Sequence, residues 1–130
     1  GLKMDTAVPV DRMAEYHDAV MAAAAEVTPG ALAYGFGHVG DGNLHVMILP
    51  ATAEAMDDFV ARRPALEQRI DETTFAMGGT LSAEHGVGRH LRSRIRGQKP
   101  AVEWELMRAV KQVFDPDGIM NPGALLPAEE

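Results

Sequence analysis

A glycine-rich turn between two short apolar runs constrains the fold of this chain more than any other feature. The runs at Ala31–His38 and Asn43–Leu49 have the β-favouring character of strands, and Pro50 closes the second. Between them lies Val39–Gly42, which reads Val-Gly-Asp-Gly, and such residues favour a tight reversal of the chain. The sequence therefore predicts a β-hairpin over residues 31–49.

Helical periodicity is found on both sides of this hairpin. Apolar residues three and four positions apart predict a helix over about residues 11–28. Two further helices are predicted to start at Thr52 and at Pro64, a short strand at Thr80–Ser82, and a last helix from Pro100 onward. This order predicts an α+β domain in which helices pack on an antiparallel sheet.

Composition narrows the classes of function. A chain of 130 residues with 46% hydrophobic and 24% charged residues fits one globular domain with a single core. The net charge is −7, from 12 basic and 19 acidic residues, which argues against nucleic acid as a partner. There is no cysteine, so histidines and carboxylates are the strong metal ligands that the chain offers.

Two histidines flank the predicted turn. A two-residue loop would place His38 opposite His45, whereas a four-residue loop would pair His38 with Asn43 and leave it diagonal to His45. Both registers put all three side chains on one face of the hairpin, because strand faces alternate with a period of two. Opposite or diagonal Cβ atoms lie about 5–8 Å apart, so both imidazoles can reach one metal ion.

A second polar pattern is the dipeptide Glu84-His85, which follows the short strand and precedes two glycines. Glu84 can complete a site of two histidines and one carboxylate that keeps positions open for substrate. A histidine that binds no metal, as His85 would be, can accept a proton from a substrate hydroxyl near neutral pH.

Simpler interpretations of these patterns stay open. The hairpin histidines can be two exposed side chains, and Glu84-His85 can be a pair that caps a helix. Two other functions also remain: a zinc hydrolase in which Glu84 or His85 activates a metal-bound water, and a non-catalytic module that mediates subunit contact.

Three motifs in one order resemble a known family. They are Gly37–His45 (GHVGDGNLH), Ser82–Gly88 (SAEHGVG) and Phe114–Gly123 (FDPDGIMNPG). In order and spacing they resemble the C-terminal domain of FAD-linked oxidases, flavoproteins of the vanillyl-alcohol-oxidase type. The branch is the one that holds D-lactate dehydrogenase, the glycolate oxidase flavoprotein subunit and D-2-hydroxyglutarate dehydrogenase. The likeness runs from Lys3 to Leu126.

The resemblance implies roles for individual residues. His38, His45 and Glu84 fall on positions that ligate a divalent metal, zinc or manganese, and His85 falls on the proposed catalytic base.

Further positions concern substrate and cofactor. Lys3 matches a lysine that contacts the substrate carboxylate in the 2-hydroxyglutarate enzymes, and Asn121 matches a residue near the flavin. Met47 stands where the hydroxyglutarate branch has an asparagine that contacts substrate, which implies a more apolar pocket and places a dicarboxylate preference in question. Asn43, on the same predicted face as the histidines, is counted with these substrate-binding positions.

The resemblance also implies the oxidation of a D-2-hydroxy acid, similar to lactate or glycolate, to the 2-oxo acid. FAD would be held mainly by a separate N-terminal domain, because Gly86-Val87-Gly88 is too short to cradle its pyrophosphate. Residues 1–130, which begin without methionine, are therefore expected to be a piece of a larger flavoenzyme. Its expected partners are the FAD-binding domain of the same parent chain, a small 2-hydroxy acid, an unidentified electron acceptor and, as a homo-oligomer, further copies. A cytoplasmic location, with or without peripheral attachment to a membrane, is expected.

Overall fold

The structure, a computed structural model, describes residues 1–126. These residues contain three β-strands and three α-helices. The chain divides into two compact units, residues 1–85 and the residues from Gly86 onward, where the sequence predicted a single core. The elements of the first unit are β1 (Leu2–Ala7), α1 (Met13–Val27), β2 (Leu32–Phe36), β3 (Asn43–Leu49) and α2 (Met56–Ala76). The second unit contains α3 (Ala101–Phe114).

The sheet confirms the predicted hairpin and the α+β class. Its strand order is β1-β3-β2, and both pairs are antiparallel. Phe36 lies opposite His45, so the loop has four residues, and its first three form a 3₁₀ turn at Val39–Asp41. Gly42 closes the loop with φ at +71°, where an added Cβ would collide with the carbonyl oxygen of Val8.

The edge strand β1 was not predicted from the sequence. It contains two buried polar residues, Asp5 and Thr6, which break the apolar pattern expected of a strand. On its outer edge, Ala7 and Thr80 exchange backbone hydrogen bonds of 3.0 and 2.8 Å, and Asp5 forms a bridge with Ser82. The predicted strand at Thr80–Ser82 is therefore reduced to two isolated bridges beside β1.

Helix α2 corrects a second prediction. A single helix runs through Pro64, where two helices were expected. A proline inside a helix costs about 3 kcal/mol, since it removes a hydrogen bond and crowds the preceding turn. Phe59, Leu66 and Ile70, which stand before and after Pro64, are all at most 3% exposed, so packing on one continuous face offsets this cost.

The core of the first unit lies between one face of the sheet and helices α1 and α2. Leu44, Val46 and Ile48 of the central strand are at most 3% exposed. The hydroxyl of Tyr16 joins the layers, because it donates to Thr6 Oγ1 at 2.9 Å and lies 2.7 Å from Thr74 Oγ1. The opposite face of the sheet is not covered by these helices, and it carries the polar groups described below.

The helix predicted from Pro100 onward is confirmed as α3, with Trp104 buried and Phe114 exposed. Among residues 1–126, no helix combines the length and the apolar character that crossing a membrane requires.

Candidate metal and substrate site

The open face of the sheet brings three chain segments together. In the register of the strands, Asp5 of β1, His45 of β3 and Phe36 of β2 form one row across the sheet. The elbow that carries Glu84 and His85 follows Leu81, which is 2% exposed and anchors the segment beside β1. Residues far apart in sequence thus meet at one end of the sheet.

Asp5 is the polar centre of this arrangement. Its Oδ2 accepts hydrogen bonds from the backbone N–H groups of Glu84, at 2.9 Å, and His85, at 2.7 Å. Its Oδ1 accepts one from the side-chain amide of Asn43 at 2.8 Å. Burial by itself raises the pKa of Asp5, but the hydrogen bonds from His85, Glu84 and Asn43 outweigh it, so this pKa lies below its usual value.

Two imidazole rings, those of His45 and His85, lie next to the carboxylate of Asp5. The rings of His45 and His85 are stacked, with centroids 5.3 Å apart and planes 14° apart. Their Nδ1 atoms lie 3.5 and 3.6 Å from the two carboxylate oxygens of Asp5. Their Nε2 atoms lie 3.0 and 3.8 Å from Oε1 of Glu84. Both rings therefore have one nitrogen towards the buried carboxylate and the other towards the exposed one.

His38 joins the group from the hairpin loop. Its Nε2 lies 3.8 Å from Oε1 of Glu84, and its ring meets that of His45 edge-on with centroids 5.8 Å apart. The structure thus brings together all four residues that the sequence suggested for metal and base. His38 and His85 are equally distant from Glu84, so their separate roles stay a prediction.

Four of the described residues could hold a divalent metal, and the predicted ligand His38 is not among the four. One ligand atom each from Asp5, His45, Glu84 and His85 can be chosen so that all four lie within 4.8 Å of one another. Imidazole nitrogens and carboxylate oxygens are the usual ligands of zinc in a protein without cysteine. Asp5 already binds two backbone amides and Asn43, which makes it better suited to orient the histidines than to bind a metal itself.

The predicted substrate-binding residues occupy different places. Lys3 and Met47 are opposite each other in the strand register and line a cavity of about 350 Å³ that His45 and His85 also line. Asn43 is 4% exposed, and its side-chain amide donates to Asp5 and to the carbonyl of Thr6, while its Oδ1 has no hydrogen-bond partner among residues 1–126. Asn43 therefore helps to position the carboxylate of Asp5. Direct contact of Asn43 with substrate stays a prediction.

Asp5 is the residue that sequence reasoning missed. The alternation in Lys3-Met4-Asp5, with an apolar residue between two charged ones, was the available signal. Without β1 in the predicted sheet, the face on which Asp5 lies could not be assigned.

The second unit contains Asn121, the predicted flavin neighbour. It has φ at +45°, and its Oδ1 accepts a hydrogen bond of 3.4 Å from Arg89. It lines an apolar groove of about 540 Å³ together with Phe114, Met120 and other residues of this unit. Contact of Asn121 with a flavin stays a prediction.

The aspartate of the third motif, Asp115, orders this part of the second unit. Its carboxylate accepts hydrogen bonds from the N–H groups of Ile119, at 2.8 Å, and Met120, at 3.0 Å, and from the ammonium of Lys111. The hydrogen bond from Lys111 lowers the pKa of Asp115 below its usual value, and the two amides add to the effect.

Comparison with known proteins agrees with the three motifs. Residues 1–125 match the family described as FAD linked oxidases, C-terminal domain. Over 126 residues the chain is 39% identical to a D-2-hydroxyglutarate dehydrogenase of Stutzerimonas stutzeri. The alignment covers 97% of this chain and 27% of that protein. It is 38% identical over 126 residues to the mitochondrial D-2-hydroxyglutarate dehydrogenase of Bos taurus, covering 96% of the chain and 22% of that protein. It is 41% identical over 90 residues to the glycolate oxidase subunit GlcD of Escherichia coli, covering 69% of the chain and 18% of that protein.

The chain thus spans about a quarter of the length of the curated relatives it matches. The family match covers nearly all of its residues and confirms the resemblance that the motifs carry. This chain belongs to the family of FAD-linked oxidase C-terminal domains.

Proposed function

We propose that this chain is the substrate- and metal-binding part of an FAD-dependent dehydrogenase that oxidises a small D-2-hydroxy acid to the 2-oxo acid. The observation that carries the proposal is the convergence of His45, Glu84 and His85 above the buried carboxylate of Asp5, beside a cavity that also contains Lys3. The names of the relatives, two D-2-hydroxyglutarate dehydrogenases and a glycolate oxidase subunit, support the same class of reaction.

In this proposal His38, His45 and Glu84 hold the metal, zinc or manganese. A divalent cation bound there would polarise the hydroxyl and carboxylate of a 2-hydroxy acid. Asp5 supports the set, since its Oδ1 lies 3.5 Å from Nδ1 of His45 and so favours Nε2 as the liganding nitrogen. With three protein ligands, the site keeps positions free for substrate.

His85 is the proposed base. Its Nδ1 lies 3.6 Å from Oδ2 of Asp5, beyond hydrogen-bond distance, and its side chain is 68% exposed, so that its Nε2 is accessible to a substrate. Oxidation of a 2-hydroxy acid releases the hydroxyl proton and a hydride from the adjacent carbon. His85 would accept the proton at Nε2. Lys3, with an ammonium on the same sheet face, would attract the substrate carboxylate.

FAD would be held by a part of the parent protein outside this sequence, and it would supply the acceptor for the hydride. Within residues 1–126, Gly86 and Gly88 follow an isolated bridge and lead into no helix, so they do not form the strand-to-helix turn that cradles a dinucleotide. The flavin-binding part of the same parent chain is therefore the proposed partner of this one.

The test separates metal binding from proton transfer in the full-length parent enzyme. Glu84→Gln and His38→Ala should each lose metal. His85→Ala should keep the metal and lose about 10²–10⁴-fold in turnover, the usual contribution of a positioned base. His17→Ala, which removes a half-buried histidine of α1 outside the site, is the control and should change neither quantity.

Metal content measured beside turnover decides between the roles. Loss of metal in His85→Ala, with retention in His38→Ala, would exchange the two assignments. Full metal content in both Glu84→Gln and His38→Ala would refute the metal site.

A further inference from the structure

We infer that Asn43 is a positioning residue for the proposed metal site, which it serves through Asp5 and His45 without contacting the substrate. The inference rests on the proposed function, and it assigns Asn43 a role different from the substrate contact that the sequence predicted. It follows from the hydrogen bonds of the Asn43 side chain and from the way in which the two oxygens of Asp5 are held.

Every polar atom of the Asn43 side chain is either hydrogen-bonded or buried. The residue is 4% exposed, and its Nδ2 donates to Oδ1 of Asp5 at 2.8 Å and to the backbone carbonyl of Thr6 at 3.0 Å. These two acceptors use both amide hydrogens and fix the orientation of the amide, because a flipped amide would place its oxygen against two other oxygens. The remaining atom, Oδ1, is itself buried. A substrate would therefore have to displace Asp5 or Thr6 to reach the amide.

The surroundings of Asn43 are also held in place. Thr6, whose carbonyl accepts from Asn43, donates from Oγ1 to the carbonyl of Leu44 at 3.0 Å. The backbone N–H of Asn43 donates to the carbonyl of His38 at 3.2 Å. These bonds connect Asn43 to β1 on one side and to the hairpin loop on the other, so its amide is a fixed partner for Asp5.

The two oxygens of the Asp5 carboxylate serve different parts of the site. Oδ2 accepts hydrogen bonds from the backbone N–H groups of Glu84 and His85, at 2.9 and 2.7 Å. Oδ1 accepts the amide of Asn43, and it is the oxygen that lies 3.5 Å from Nδ1 of His45. With Oδ2 alone held, the carboxylate could still pivot about that oxygen. The hydrogen bond from Asn43 stops this movement and so fixes the oxygen that faces His45.

Loss of the Asn43 amide should therefore weaken metal binding without moving the proposed base. His45 is a ligand in the proposed metal set, and a residue that orients a liganding histidine typically contributes about 10–100-fold to metal affinity. The hydrogen bonds from the elbow to Oδ2 stay in place, so the backbone of His85 keeps its position. This separates Asn43 from Asp5, whose loss would release both His45 and the elbow.

The experiment measures metal affinity beside turnover in the full-length parent enzyme. We expect Asn43→Ala to raise the Kd for Zn²⁺ and for Mn²⁺, measured by calorimetric titration of the metal-free protein, by about 10–100-fold. Turnover is followed by flavin reduction with D-lactate, or with D-2-hydroxyglutarate if the enzyme oxidises that acid instead. It should fall at limiting metal and return with excess metal, where KM for the acid should lie within about twofold of wild type.

A second variant and a control separate positioning from general stability. Asn43→Ser keeps one side-chain donor and should fall between wild type and Asn43→Ala in metal affinity, and it carries the test if Asn43→Ala does not fold. Thr28→Val is the matched control, since Thr28 is also 4% exposed and its hydroxyl donates to the carbonyl of Ala24 at 2.8 Å, at the end of α1. Thr28→Val and Asn43→Ala should both lower the urea midpoint, but metal affinity should change only in Asn43→Ala.

Two results would overturn the inference and leave the proposed function intact. One is an unchanged Kd for both metals in the Asn43 variants together with a raised KM at saturating metal, which would make Asn43 a substrate contact. The other is an equal loss of metal affinity in Thr28→Val, which would reduce the effect to general stability. Binding of neither metal by the wild-type parent would refute the proposed metal site itself, and the inference with it.

Discussion

Removing the carboxylate of Asp5 should destabilise the first unit more than the loss of any exposed charge. Asp5 is 7% exposed and accepts three hydrogen bonds, two from the backbone of Glu84 and His85 and one from Asn43. A buried donor left without a partner costs about 1–3 kcal/mol, and of these three donors the amide of Asn43 is buried while those of Glu84 and His85 are part-buried. Because the elbow can relax and admit water, we expect Asp5→Ala to cost about 3–5 kcal/mol, less than the sum of the three.

The assay can separate the two units. Both tyrosines of the chain, Tyr16 and Tyr34, are in the first unit, whereas the single tryptophan, Trp104, is in the second. In urea, the transition seen by tyrosine near-ultraviolet circular dichroism should shift strongly in Asp5→Ala, and the transition seen by tryptophan fluorescence should shift less. Asp18→Asn is the control, since its side chain is 85% exposed. Equal stability of Asp5→Ala and Asp18→Asn would refute the reasoning.

The same carboxylate should make stability depend on pH. The pKa of Asp5 is lower in the folded chain than the value of about 3.9 expected when unfolded. Asp5 therefore stabilises the fold above that value, and this stabilisation is lost as the pH falls through the folded pKa. The difference in stability between wild type and Asp5→Ala should be full near pH 6 and shrink in acid below about pH 4. A difference that grows in acid would contradict this sign.

Three further changes test other parts of the structure. Tyr16→Phe removes a hydroxyl that lies between two buried threonine hydroxyls and should cost about 1–2 kcal/mol in urea unfolding, and an unchanged midpoint would count against that link. Gly42→Ala should lower the melting temperature, because Gly42 has φ at +71° and a Cβ there meets a backbone carbonyl, whereas Gly40→Ala, with open space around it, should not. Asp115→Asn should shift the transition seen by Trp104 fluorescence to lower urea at neutral pH, and this shift should shrink in acid, since the pKa of Asp115 is lowered in the fold. A shift of equal size at both pH values would contradict the pairing of Asp115.

Local patterns predicted the hairpin and its histidines. The two β-rich runs and the glycine turn are short-range signals, and the period of two placed His38 and His45 on one face in both registers considered. The choice of four loop residues depends on the 3₁₀ turn at Val39–Asp41 and on the hydrogen bond of 3.2 Å from the N–H of Asn43 to the carbonyl of His38. Those contacts are visible in the fold and have no separate signature in the sequence.

Strand β1 was not predicted because its buried polar residues form hydrogen bonds with residues that are far away in the sequence. Thr6 donates a hydrogen bond of 3.0 Å to the carbonyl of Leu44, 38 residues away, and it accepts one from Tyr16. The local sequence shows only that Asp5 and Thr6 are polar. It does not show the distant hydrogen-bond partners that allow both residues to be buried. Helix α2 was divided in two for a related reason, since the core that keeps it continuous across Pro64 is formed by other elements.

The missed strand also explains why Glu84 and His85, though adjacent, can have different tasks. Both of their backbone N–H groups donate to the same oxygen of Asp5, at 2.9 and 2.7 Å, which fixes the elbow to β1. With the backbone held in this way, the carboxylate of Glu84 reaches Nε2 of His45 at 3.0 Å, while the ring of His85 stacks on that of His45. The sequence motif alone supplies the two side chains, and a carboxylate some eighty residues earlier orients them. Substitution of Asp5 is therefore expected to disturb the proposed metal binding and the proposed proton transfer together, unlike substitution of either residue of the elbow.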